Sequence, residues 1–156
     1  MTSVGFWKLL HLFSSFGLIA CVMSAYWNVL AARRVDDWGL RFRLFEATQR
    51  ASLRFGVTSG LLIGLFANLT GLALGLRLAT DSWLRWVDGL WIATLVVLAI
   101  GQLPASRALV REARRAIHQG PSAAFDRAMG RWRFSNATLV LLSVGSIGLM
   151  VFRWRN

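Results

Sequence analysis

The chain has 156 residues, 56% of them hydrophobic and 16% charged, with 8 Trp, 10 Phe, 14 Gly and a net charge of +11. That length allows one domain, and the apolar share excludes an intrinsically disordered chain. A single cysteine, Cys21, excludes a disulfide framework.

All 25 Asp, Glu, Lys and Arg residues lie outside four runs: Leu9–Ala32, Phe55–Leu76, Gly89–Ser106 and Phe134–Phe152. Each run has about the ~20 apolar residues that a helix needs to cross a hydrocarbon core ~30 Å thick. A helix satisfies its own backbone hydrogen bonds, as lipid requires. The expected fold is therefore all-α: a polytopic membrane protein, a four-transmembrane-helix up-down bundle in a single domain. The helices are expected at about 4–33, 38–78, 83–119 and 122–154.

In the first run, Leu18-Ile19-Ala20-Cys21 matches a bacterial lipobox. The run continues past it to Ala32, longer than a signal-peptide core, so an ordinary spanning helix is expected. After it, Asp36-Asp37 offers a cap, with Trp38, Phe42 and Phe45 on one face. No Gly or Pro interrupts 40–55, so the second helix is expected to extend beyond the bilayer rather than lie flat on it. Leu109, Ala113, Ala116 and Ile117 likewise extend the third helix up to Gly120-Pro121. Ser122 can cap a fourth that carries Phe125, Met129 and Trp132.

Thirteen of the 18 basic residues fall in Arg33–Arg54 and Arg107–Arg133, the first and third connections. The positive-inside rule places these in the cytoplasm and both termini outside, in a bacterial inner membrane. Trp7, Trp83, Trp86 and Trp154 then form an outer aromatic belt, and Tyr26, Trp27, Phe55, Trp132 and Phe134 an inner one. The charge reads as topology with attraction to anionic headgroups, and no nucleic-acid partner is expected. The expected partners are the lipid bilayer and either other membrane subunits or further copies of the chain.

Gly56, Gly60 and Gly64 recur every four residues, with Asn68, Gly71 and Gly75 beyond them. Small residues at this spacing let helices approach closely in lipid, so a packing seam is expected, with the Asn68 amide free to bridge to a neighbour. The seam's partner is left open between helix 1, helix 4 and a second copy.

His11 is the sole histidine in a membrane run. Asn68, Thr70, Asp88, Thr94 and Ser146 are expected at depths similar to His11, with Lys8 one turn above it; Lys8, His11, Asn68, Thr70 and Asp88 form a candidate polar cluster, in which Asp88 and His11 would make an ion pair or proton site. His11 is also the candidate axial ligand of haem b. A bis-histidine site within one chain is excluded because His118 falls on the other side, while Met23 and Cys21 lie ~15 Å along the helix. Copper would want Met, Cys and His together, and no such grouping is visible. Metalloprotease, nucleotide-binding, hydrolase and C-x-x-C signatures are absent, so no catalytic residue is assigned. Asn68-Leu69-Thr70 and Asn136-Ala137-Thr138 match the glycosylation pattern but fall within or at the edge of the expected bilayer.

Lys8-Leu9-Leu10-His11-Leu12, Arg33-Arg34 after helix 1 and Thr70-Gly71-Leu72 in helix 2 resemble an uncharacterised group of bacterial integral membrane proteins. More distantly, the opening motif resembles the copper-resistance protein D-like domain and the membrane-bound protoporphyrinogen oxidase. The resemblance implies a bundle of four or more helices with a histidine near the outer end of helix 1, and a haem or copper connection. The chain lacks the further intramembrane histidines of copper transport and the later-helix lysine of the oxidase. Two functions are thus expected to compete: a non-enzymatic scaffold, assembly factor or accessory subunit, and a haem- or copper-linked redox protein centred on His11.

Overall fold

A computed structural model describes residues 3–76 and 81–153. Among them there is no strand, and four long helices account for nearly everything. They are α1 (Ser3–Arg33), α2 (Trp38–Ala73), α3 (Ser82–Gln119) and α4 (Ala123–Arg153). All four are long and apolar enough to cross a membrane. At 1.5 Å per residue, the 36 residues of α2 and 38 of α3 reach about 54 and 57 Å. Both exceed a ~30 Å hydrocarbon core by several turns.

The helix ends follow local chemistry. The Asp37 carboxylate accepts from the Gly39 N–H at 2.8 Å and caps α2. Gly120, at φ 77°, ends α3, and the Ser122 hydroxyl accepts from the Phe125 N–H to start α4. The second helix stops at Ala73, short of the expected 78. Gly75 takes φ 72°, its N–H bonds the Leu72 carbonyl, and the Leu76 N–H bonds the Gly71 carbonyl. This paired arrangement satisfies the last carbonyls and needs a left-handed residue that glycine supplies. Gly75 is therefore a stop signal rather than part of the seam. Residues 77 and 78 lie outside the described residues.

Two π-helical turns interrupt the long helices, Ser52–Gly56 in α2 and Val97–Gln102 in α3. The second lies just before Pro104, whose ring would clash with the carbonyl four residues back, and a wider turn relieves that clash.

Neighbouring helices run antiparallel, and their shared residues form three levels. At the basic end, where the α1–α2 and α3–α4 connections lie, Ala25, Val29 and Ala32 meet Phe45, Leu109, Ala113, Phe125, Met129 and Trp132 in one closed core. Here Trp38 and Phe125 meet edge to face at 5.1 Å, and the Arg41 guanidinium lies 4.5 Å above the Trp38 ring. Trp132 is only 1% exposed, so it belongs to this core and not to the expected aromatic belt. The other inner-belt residues, Tyr26, Trp27, Phe55 and Phe134, are exposed, as is Trp86, whereas Trp154 lies outside the described residues. A middle level joins Leu18, Val22, Leu98 and Leu139. At the terminal end, where α1 begins and α4 finishes, the helices enclose a cavity instead.

Candidate functional site

The cavity has a volume of about 460 Å³ and is walled by all four helices. Each contributes residues at helical spacing, so each presents one face. From α1 come His11, Ser15 and Leu18, and from α2 Ile63, Gly64 and Ala67. From α3 come Val87, Asp88, Trp91 and Thr94, and from α4 Ser143, Ser146, Ile147 and Met150. Exposed Leu12, Phe16 and Ile147 rim the mouth, which therefore opens sideways between α1 and α4.

Most of the polar atoms in this wall are already engaged. Ser15 donates to the His11 carbonyl, Thr94 to Leu90, Ser143 to Leu139 and Ser146 to Leu142, each four residues back in its own helix. Such back-bonding spends the hydroxyl proton locally. What remains for a ligand is an apolar surface with two ionisable side chains, His11 and Asp88.

His11 Nδ1 lies 3.1 Å from the Ile63 carbonyl oxygen on α2. A carbonyl can only accept, so Nδ1 carries the hydrogen and donates. In the neutral ring this leaves Nε2 as the acceptor or metal-ligand nitrogen, an orientation that backbone carbonyls commonly impose on ligating histidines. Asp88 lines the same cavity from α3, but among the described residues no ion pair joins the two.

The remaining members of the polar cluster are not drawn together. The Asn68 amide donates to the Gly64 carbonyl at 2.9 Å, so it serves its own helix rather than bridging to another. Thr70 donates to Phe66 in the same way. Lys8 is exposed on α1, and none of the three lines the cavity.

The glycines face specific neighbours. A Cβ on Gly56 would lie 3.2 Å from Cys21 Sγ of α1, and one on Gly60 3.1 Å from Leu95 Cδ2 of α3. On Gly64 it would fall 2.2 Å from two atoms of the Trp91 ring. The Trp91 Nε1 donates to the Gly60 carbonyl at 2.8 Å, so the indole lies across the Gly60–Gly64 face and forms part of the cavity wall.

Two features escape a reading of the sequence alone. Met150 brings a thioether to the cavity from α4, a residue that composition marks only as apolar. Further down the bundle, Gln102 Nε2 donates to Asn136 Oδ1 at 3.4 Å between α3 and α4. Gln102 Oε1, Ser106 Oγ and Trp132 Nε1 are buried there with no hydrogen-bond partner among the described residues. Gln102 and Asn136 fall in different charge-free runs, where nothing in the sequence marks them as a pair.

Comparison with family models, curated proteins and solved structures finds no match to this chain.

The resemblance drawn from the opening motif implies haem or copper. For haem the cavity offers one histidine, oriented through its Nδ1–H, and one thioether, Met150, on another helix. Histidine with methionine is an established axial set. His118 is exposed at the opposite end. Copper fits poorly: no group of three His, Cys, Asp or Glu side chains comes together among the described residues, and Cys21 is buried against Ser52 and Gly56.

Proposed function

We propose that this protein is a non-enzymatic accessory subunit of a membrane complex in a bacterial inner membrane, and that it holds a largely apolar ligand drawn from the bilayer in its terminal-end cavity. The contrast between the two ends of the bundle carries this reading. Between the four helices the basic end is filled by Phe45, Leu109 and Trp132, each at most 2% exposed, and the hollow found there is a groove between α3 and α4 alone. The terminal end leaves about 460 Å³ beside a fixed histidine. A scaffold that only had to pack would fill the space between its four helices at both ends alike. An apolar chamber with few polar groups is the ordinary form of a small-molecule site, and a mouth between two apolar helices admits ligand from lipid rather than from water.

In this reading His11 Nε2 anchors the ligand's polar group, and Trp91 supplies a flat wall on the side of α2. Haem b is the specific form that the Nδ1–Ile63 bond and Met150 favour. Bound haem would supply one-electron chemistry, while His11 and Met150 would hold it and the apolar wall would exclude water. The test is chemical extraction and an absorption spectrum of the protein purified in mild detergent. A hydrophobic molecule should co-purify, and a Soret band lost in His11→Ala would identify it as haem. Ala67→Phe fills the chamber from α2 and leaves His11 itself unchanged in the sequence. It should lower retention of the molecule about fivefold or more, as overpacking costs of ~1–3 kcal/mol imply. No extractable molecule and no haem uptake would reject the proposal.

The orientation follows from the arginines: the basic end faces the cytoplasm and both termini lie outside. Since Cys21 is buried, Gly120→Cys provides a single accessible thiol. It should resist an impermeant thiol reagent in intact cells and react once the membrane is opened. Labelling in intact cells would reverse the topology.

A further inference from the structure

At the basic end a second hollow, of about 410 Å³, lies between α3 and α4. Its floor is made of small residues, among them Ala105, Ala108 and Ala128, which keep the two helices' side chains out of the space. Its far end carries three guanidinium groups, Arg111, Arg127 and Arg131, against one carboxylate, Glu112. That carboxylate is committed: Glu112 is 5% exposed and pairs with Arg111 at 3.1 Å and Arg115 at 3.3 Å. Arg127 and Arg131 stand one helical turn apart, exposed, and make no ion pair with any described residue.

The near end of the same hollow is apolar. Ile100 and Phe134 line it and are 74% and 76% exposed. Phe134 lies seven residues beyond Arg127, about 10 Å along the helix. Phe134 also begins the charge-free run of α4, and Ile100 lies within that of α3. The groove therefore passes from guanidinium groups to exposed hydrocarbon at the level where the helices become charge-free. Free phosphate would use only the first part, whereas a phospholipid uses both.

We propose that this groove binds one anionic phospholipid, its phosphate between Arg127 and Arg131 and its acyl chain along Ile100 and Phe134. Basic pockets between spanning helices at the cytoplasmic face are suited to such headgroups. Guanidinium forks bind phosphate oxygens through paired hydrogen bonds. The inference rests on the membrane reading but not on the ligand of the terminal-end cavity.

Native mass spectrometry of the full chain, released from detergent containing phosphatidylglycerol and phosphatidylcholine in equal amounts, tests it. One phosphatidylglycerol should remain bound in preference to phosphatidylcholine. The double variant Arg127→Gln/Arg131→Gln should lower its retention about tenfold or more. Arg43→Gln/Arg54→Gln removes the same charge from α2 and should leave retention unchanged. Ala108→Trp should lower it too, by filling the groove with no change of charge. Circular dichroism establishes that each variant is folded. Equal losses in the two arginine pairs would show diffuse attraction and overturn the site. So would equal retention of the two lipids. Displacement by millimolar inorganic phosphate would assign the groove to a soluble anion and overturn the lipid proposal.

Discussion

Replacing Trp132 by alanine is expected to cost about 3–5 kcal/mol, the range for removing a large aromatic side chain from a close-packed core. Trp132 is 1% exposed and packs at the basic end with Phe45, Leu109, Phe125 and Met129. No lipid tail reaches this position to fill the space left behind. Trp132→Phe should be much milder. Trp132 Nε1 is buried without a hydrogen-bond partner among the described residues, and an unsatisfied buried donor costs about 1–3 kcal/mol. Losing that N–H offsets part of the lost ring area. Denaturant titration of purified variants, followed by circular dichroism, measures both. A Trp132→Ala protein as stable as the parent would mean that the basic end is not a closed core. A Trp132→Phe protein as unstable as Trp132→Ala would mean that the indole N–H has a partner.

The same residue marks the limit of what the sequence reveals. Trp132 stands next to a charge-free run, where an indole at the bilayer edge and an indole in a core look alike. Only the neighbours contributed by α2 and α3 distinguish them. The four helices themselves were legible because charge is costly in lipid and its absence is easy to see. Helix ends were legible where a short polar side chain or a glycine acts alone, as at Asp37, Ser122 and Gly120. Gly75, which follows the seam glycines Gly56, Gly60 and Gly64 in the sequence, ends the helix instead, because a spacing that makes a packing seam also carries a glycine into a terminating turn. The π turn before Pro104 had a visible cause in the proline. The one at Ser52–Gly56 had none, since no proline stands near it and the residues around it suit an ordinary helix. At the candidate site, His11 and Asp88 stood out as ionisable groups in apolar surroundings. Met150 did not, because its role depends on which face of α4 turns inward. In a helix apolar on nearly all sides, sequence periodicity cannot show that.

The glycine face of α2 yields the sharpest contrast between neighbouring positions. Gly64→Ala is expected to destabilise the bundle by about 1–3 kcal/mol, the usual range for overpacking. The added Cβ would lie 2.2 Å from two Trp91 ring atoms and 2.8 Å from a third. The ring cannot simply swing aside, because its Nε1 is held at 2.8 Å by the Gly60 carbonyl. Gly60→Ala meets only the ends of two flexible side chains, Leu95 at 3.1 Å and Leu98 at 3.8 Å. The ~1 kcal/mol that alanine gains over glycine in a helix should make that change nearly neutral. The cause can be isolated with a double-mutant cycle. In a Trp91→Leu background the added methyl group no longer meets a fixed ring, so most of the Gly64→Ala penalty should disappear, whereas independent sites would keep it in full. Because Trp91 is also a wall of the terminal-end cavity, the single variant should release a bound ligand as it loosens the helices. Equal stability of Gly64→Ala and Gly60→Ala would show that the indole is free to move. The wall that Trp91 and Gly64 form would then not be a fixed surface for any ligand.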